Sequence, residues 1–83
     1  MLKIKENIDL KELEKYGLEL YEYEEEGLKY IYYNFPGCTT NRILILDEID
    51  DDVERAFYFD DVLTDEEADI LYDLVKADLV EKV

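Results

Sequence analysis

Leu18-Glu19-Leu20-Tyr21-Glu22-Tyr23-Glu24-Glu25-Glu26-Gly27-Leu28-Lys29-Tyr30-Ile31-Tyr32-Tyr33-Asn34 carries the pattern that decides the fold. From Leu18 to Glu24, Leu18 and Leu20 alternate with Glu19, Tyr21 and Tyr23, the two-residue period of a strand. Glu25-Glu26-Gly27 reads as a turn, with Gly27 supplying a positive φ. Leu28 to Asn34 is rich in Tyr and Ile and reads as a second strand, so the pair forms a hairpin.

Downstream, Phe35-Pro36-Gly37-Cys38-Thr39-Thr40-Asn41 is a loop, because Pro-Gly breaks regular structure. Arg42 to Asp47 is a third strand, and its unbroken Ile43-Leu44-Ile45-Leu46 run suggests a central strand covered on both faces, one of them either by the chain itself or only by a partner. Asp50-Asp51-Asp52 turns the chain, and Val53 to Phe59 alternates as a fourth strand. Thr64-Asp65-Glu66-Glu67 is a capping box with three acids in the first turn, where the helix dipole favours negative charge. Ala68, Leu71, Leu74 and Val75 follow at helical spacing as the expected inner stripe. Asp78 to Val83 reads equally as a final turn or a short extended tail.

Upstream, Asp9 with Glu12 is a second capping-box pattern, Leu10, Leu13 and Tyr16 form an inner face, and Gly17 ends the turn. These elements predict a single α+β domain over residues 1–83. Its core is an antiparallel three- or four-stranded meander, with a short N-terminal helix and one longer C-terminal helix, Thr64 to Ala77, packed on the sheet.

Length and composition bound the function. Eighty-three residues make one domain with little margin for an elaborate buried site. Twenty-four Asp and Glu against nine Lys and Arg give a formal charge of -15. That charge favours solubility at a cost in self-repulsion. It repels nucleic acid and anionic membranes, so neither is an expected direct partner, and it attracts a basic protein surface. One cysteine forms no internal disulfide, which fits a reducing compartment. No signal peptide is evident, and no apolar run approaches the length of a membrane span.

Most catalytic constellations fail on residue type. With no His, Ser-His and Cys-His pairs and histidine-bearing zinc sites are excluded. Gly17, Gly27 and Gly37 are too scattered for a phosphate-binding loop. Cys38, four residues before Arg42, reads as a small loop residue rather than a reactive thiol. Asp50, Asp52, Glu54 and Asp61 imitate the spacing of an EF-hand, but Arg55 stands where that loop needs glycine. Only adventitious divalent-ion binding at Asp47 to Asp52 is expected. No enzyme, cofactor or dedicated metal site is expected.

The charge distribution is the most unusual feature. Thirteen acids and one base, Arg55, lie between Asp47 and Asp73. Asp65, Asp69 and Asp73 recur every four residues, so they line one helical face at steps of roughly 6 Å. Such a run ordinarily serves as a solvated face. The functional alternative is a surface that imitates the charge array of nucleic acid and occupies a basic groove. Its expected contact residues are Asp47, Glu48, Asp50, Asp51, Asp52, Asp60, Asp61, Asp65, Glu66, Asp69 and Asp73, with Tyr23, Tyr58 and Tyr72 adding contact area.

The opening Lys3-Ile4-Lys5-Glu6-Asn7-Ile8-Asp9-Leu10-Lys11-Glu12-Leu13-Glu14-Lys15-Tyr16-Gly17 and the ending Leu71 to Val83 resemble small uncharacterised proteins of phages and prophages of low-GC Gram-positive bacteria. The resemblance carries no functional residues. It implies a setting, the cytoplasm of a bacterial host cell, in which small acidic phage proteins include anti-CRISPR proteins and other inhibitors of host defence, some of them DNA mimics. The expected function is therefore non-enzymatic inhibition of a basic nucleic-acid-binding host protein, such as a CRISPR effector. The alternative is a phage structural or assembly role, in which exposed Tyr and the Ile43 to Leu46 strand make a homodimer.

Overall fold

In a computed structural model, which describes residues 1–37, 40–51 and 54–83, six strands form one antiparallel sheet. They are β1 (Leu2–Ile4), β2 (Glu19–Glu25), β3 (Leu28–Asn34), β4 (Arg42–Asp47), β5 (Ala56–Tyr58) and β6 (Val80–Lys82), in the order β2-β3-β4-β5-β1-β6. A 3-10 helix, Leu10–Tyr16, and one α-helix, α1 (Asp65–Lys76), complete the described elements. Cys38, Thr39, Asp52 and Val53 lie outside the described residues. Among them are one expected contact residue, Asp52, and the expected start of the fourth strand, Val53.

The expected meander is present as β2 to β5, each strand beside the next. The sheet is larger than three or four strands because both ends of the chain add to it. β1 inserts between β5 and β6, pairing Lys3 with Ala56 on one side and with Glu81 on the other. Both terminal strands have three residues, too few to show a period.

Local rules account for most boundaries. Gly17 takes φ 89° and ends the 3-10 helix, whose start is capped by the Asp9 side chain accepting from the Lys11 amide. Glu12 does not complete a capping box; its carboxylate accepts from Lys15 Nζ instead. Glu26 and Gly27, with φ of 53° and 79°, make the two-residue loop between Glu25 and Leu28. Positive φ at both positions is the signature of a type I′ turn, whose twist matches that of the strands.

The core draws on every strand of the sheet except β2. Ile4, Leu13, Tyr33, Phe35, Ile43, Phe57, Ile70, Leu74 and Leu79 belong to one buried cluster. Tyr33, Ile43 and Phe57 are in register across β3, β4 and β5 and so share its face. Leu44 and Ala56, also in register, are buried on the opposite face, consistent with a central β4. In contrast, all seven residues of β2 are exposed.

The inner stripe of α1 differs from the expected Ala68, Leu71, Leu74 and Val75. Glu67, Ile70 and Leu74 are buried, Leu71 is half-buried, and Ala68 and Val75 are exposed. The rotation follows from Glu67. Its carboxylate accepts from the Thr64 amide at 2.9 Å and from Asn41 Nδ2 at 3.3 Å, and the Thr64 hydroxyl accepts from the Glu67 amide. Asn41 Oδ1 in turn accepts from the Asp61 amide at 3.0 Å. Asn41 and Glu67 are both fully buried, so this knot fixes which side of α1 faces inward.

Asn41→Leu is expected to cost about 3 kcal/mol in urea unfolding, because it leaves a buried carboxylate short of a donor. Adding Glu67→Leu to that variant should recover part of the loss. Glu26→Asn is expected to raise stability by about 0.5 kcal/mol in the same measurement, since Asn enters the left-handed region more readily.

Candidate protein-binding surface

The alternation of β2 puts Glu19, Tyr21, Tyr23 and Glu25 on the sheet face opposite the core cluster. Across the ladder Tyr21 stands against Tyr32 and Tyr23 against Tyr30, so four tyrosines share this open face. Tyr21 and Tyr32 stack with centroids 5.5 Å apart, and Tyr30 and Tyr32 meet at a tilt at 5.1 Å. The Tyr21 hydroxyl donates to Glu19 at 2.9 Å and the Tyr23 hydroxyl to Glu25 at 3.3 Å.

Arg42 extends the surface onto β4. Its guanidinium lies 6.0 Å from the Tyr30 ring centre. Its Nη1 donates to the Thr40 carbonyl at 3.1 Å and to Asp60 at 3.0 Å. The buried Arg42 Nε has no hydrogen-bond partner among the described residues. Tyr30 is the hub of the face: one shallow hollow holds it with Tyr32, Asn34, Thr40 and Arg42, and a second with Tyr23, Asp47, Ile49 and Asp50.

The acids expected to form the contact set divide by role. Asp47 is buried and accepts from the Ile49 and Asp50 amides, both at 2.9 Å, so it shapes the turn after β4. Glu48 accepts from the Lys29 amide at 2.8 Å and extends the β3–β4 ladder. Asp60 holds Arg42, and the Asp61 carboxylate accepts from the Val62 amide. Asp50, Asp51, Asp65, Glu66, Asp69 and Asp73 stand exposed. Asp50 borders the tyrosine hollows, whereas Asp65, Glu66, Asp69 and Asp73 are carried on α1, whose Ile70 and Leu74 join the core cluster. The acids therefore occupy more than one surface.

Arg55, the one base in this acidic run, is turned inward. Its guanidinium donates to the carbonyls of Lys5 at 2.8 Å and Ile8 at 3.0 Å. Those bonds hold it at φ 62°, a conformation that costs an ordinary residue about 1–2 kcal/mol. Among the described residues no group of three or more metal-ligating side chains is arranged to hold an ion. Nor is any helix among them long and apolar enough to cross a membrane.

The tyrosine face was readable only in part. The spacings Tyr21/Tyr23 and Tyr30/Tyr32 mark like-facing pairs, but only the register of the hairpin shows that the two pairs meet. No protein family, curated protein or solved structure matches the chain.

Three tyrosines have raised pKa values. For Tyr21 the main cause is its hydrogen bond to the Glu19 carboxylate. For Tyr30 and Tyr33 it is burial, which at Tyr30 is partly offset by Arg42. Folding therefore favours the protonated phenols. Their contribution is complete below the unfolded pKa, about 10, and is lost as pH rises through the raised folded values. The urea midpoint is expected to fall above pH ~10, with a shallower fall in Tyr30→Phe. Denaturation curves across that range, with tyrosinate absorbance followed in parallel, check both.

Proposed function

We propose that this chain is a non-enzymatic binding protein that inhibits a basic nucleic-acid-binding protein by covering the surface with which that protein holds nucleic acid. The observation that carries the reading is the bare outer strand of the hairpin. Every residue of β2 is exposed, and Leu20, Tyr21, Tyr23 and Leu28 show apolar surface that no layer among the described residues covers. Tyrosines paired with arginine are the residue types enriched at protein interfaces, where they bury large area at small entropic cost.

The charge selects the partner's sign. A surface at -15 is drawn to a basic protein and steered to it at low ionic strength. Asp65, Asp69 and Asp73, all exposed along α1, offer the row of negative charge that a phosphate-binding groove accepts. The resemblance of the two ends to phage and prophage proteins directs the reading to a host protein, a CRISPR effector among the possible targets.

Affinity capture from a bacterial lysate, after nuclease treatment, is the test. The expected outcome is a basic nucleic-acid-binding protein whose DNA or RNA binding is blocked by the purified chain. Capture should weaken by at least about tenfold between 0.05 and 0.5 M salt. It should weaken similarly in Asp65/Asp69/Asp73→Asn and in Tyr21/Tyr23→Ser. Recovery of the chain alone at both salt concentrations overturns the proposal and turns attention to self-association.

A further inference from the structure

β2 is the outermost strand of the sheet, so one of its two edges has no neighbour among the described strands. In a two-residue hairpin the pair closing the turn, here Glu25 and Leu28, exchanges hydrogen bonds, and bonded and non-bonded pairs then alternate. Glu19, Tyr21, Tyr23 and Glu25 accordingly direct their backbone groups to β3. Leu20, Glu22 and Glu24 direct theirs outward.

We propose that this free edge accepts an extended basic segment of a partner protein as a seventh strand; the inference rests on the binding function proposed above and names the form its partner takes. Exposed edges are usually guarded by short length, by charged side chains, lysine above all, by proline or by a bulge, and of these β2 carries only its four glutamates, Glu19, Glu22, Glu24 and Glu25. β2 has seven residues with neither lysine nor proline, and the one irregularity nearby lies between β3 and β4. The opposite edge of the sheet, β6, has only three residues.

The charges on β2 decide what can pair with it. Two copies joined antiparallel about Glu22 would set Glu22 against itself and each Glu19 against a Glu25. Like charges directly opposite one another destabilise a ladder. A strand bearing Lys or Arg meets the reverse situation. On one face its side chains lie beside Leu20, Glu22 and Glu24, and on the other beside Tyr21 and Tyr23, with Glu19 and Glu25 at the two ends of that row. The segment that fits alternates Lys or Arg with apolar residues, the basic side chains on the Glu22 face and the apolar ones on the tyrosine face.

The probe is a capped peptide alternating Lys and Val, in three forms: unmodified, N-methylated at every Lys, and N-methylated at every Val. In an antiparallel addition each Lys opposite Glu22 or Glu24 exchanges hydrogen bonds with it, whereas the Val amides face away. The unmodified peptide should bind and slow hydrogen exchange at the Leu20, Glu22 and Glu24 amides at least tenfold. N-methylation at Lys should weaken binding at least about tenfold, the effect of losing two or three hydrogen bonds, and N-methylation at Val should leave it nearly unchanged. Equal binding of all three forms, or binding without protection of those amides, overturns strand addition while leaving the proposed binding function to its own capture test. Failure of the unmodified peptide to bind at low salt also overturns it. A doubling of the chain's own mass in the absence of peptide, with the Leu20, Glu22 and Glu24 amides already protected, would place a second copy on the edge and overturn it as well.

Discussion

The molecule is governed by a shortage of cover. One face of a six-stranded sheet about 24 Å across needs a second layer. The chain supplies a twelve-residue helix, about 18 Å long, and one 3-10 segment. Ile70 and Leu74 of that helix and Leu13 of that segment join one buried cluster with residues of β1, β4, β5 and the end of β3, where Tyr33 enters the core, and α1 also meets β6. Among the described residues no second layer reaches β2. Its side chains stand in solvent on both faces, and the ladder to β3 together with its own tyrosine contacts holds it in place.

Within the covered half, a polar contact does work that apolar packing alone would leave undetermined. Asn41 and Glu67 join the entry of β4 to the first turn of α1 with no exposure to water. Apolar side chains tolerate several rotations of a helix, but a buried carboxylate tolerates only those that supply donors. The same carboxylate caps the helix through Thr64, so one side chain both starts α1 and orients it.

Much of this was legible in the sequence. The hairpin, β4 and α1 follow from alternation, turn chemistry and capping, and their observed limits lie within about two residues of the expected ones. β1 and β6 were not legible, because a three-residue strand has no measurable period and their pairing joins opposite ends of the chain. The stripe of α1 was misread because Glu67 counts as polar in any periodicity argument although it is buried. The surface divides in the same way. The acids were plain in composition, but only coordinates separate Asp47, Glu48 and Asp60, which bind the chain's own groups, from acids such as Asp69 and Asp73 that face solvent.

The pairing of β1 with β6 bears on the order in which the sheet assembles. Leu2 meets Lys82 and Ile4 meets Val80, so this ribbon closes nearly the whole chain into a loop, while β2, β3 and β4 join through close neighbours. Loop-closure entropy delays the distant pairing and favours the local one. The exposed hairpin is thus among the first parts able to form, and the terminal ribbon among the last. Because β1 sits between β5 and β6, its pairing on both sides joins the two ends of the chain to the meander and completes the sheet.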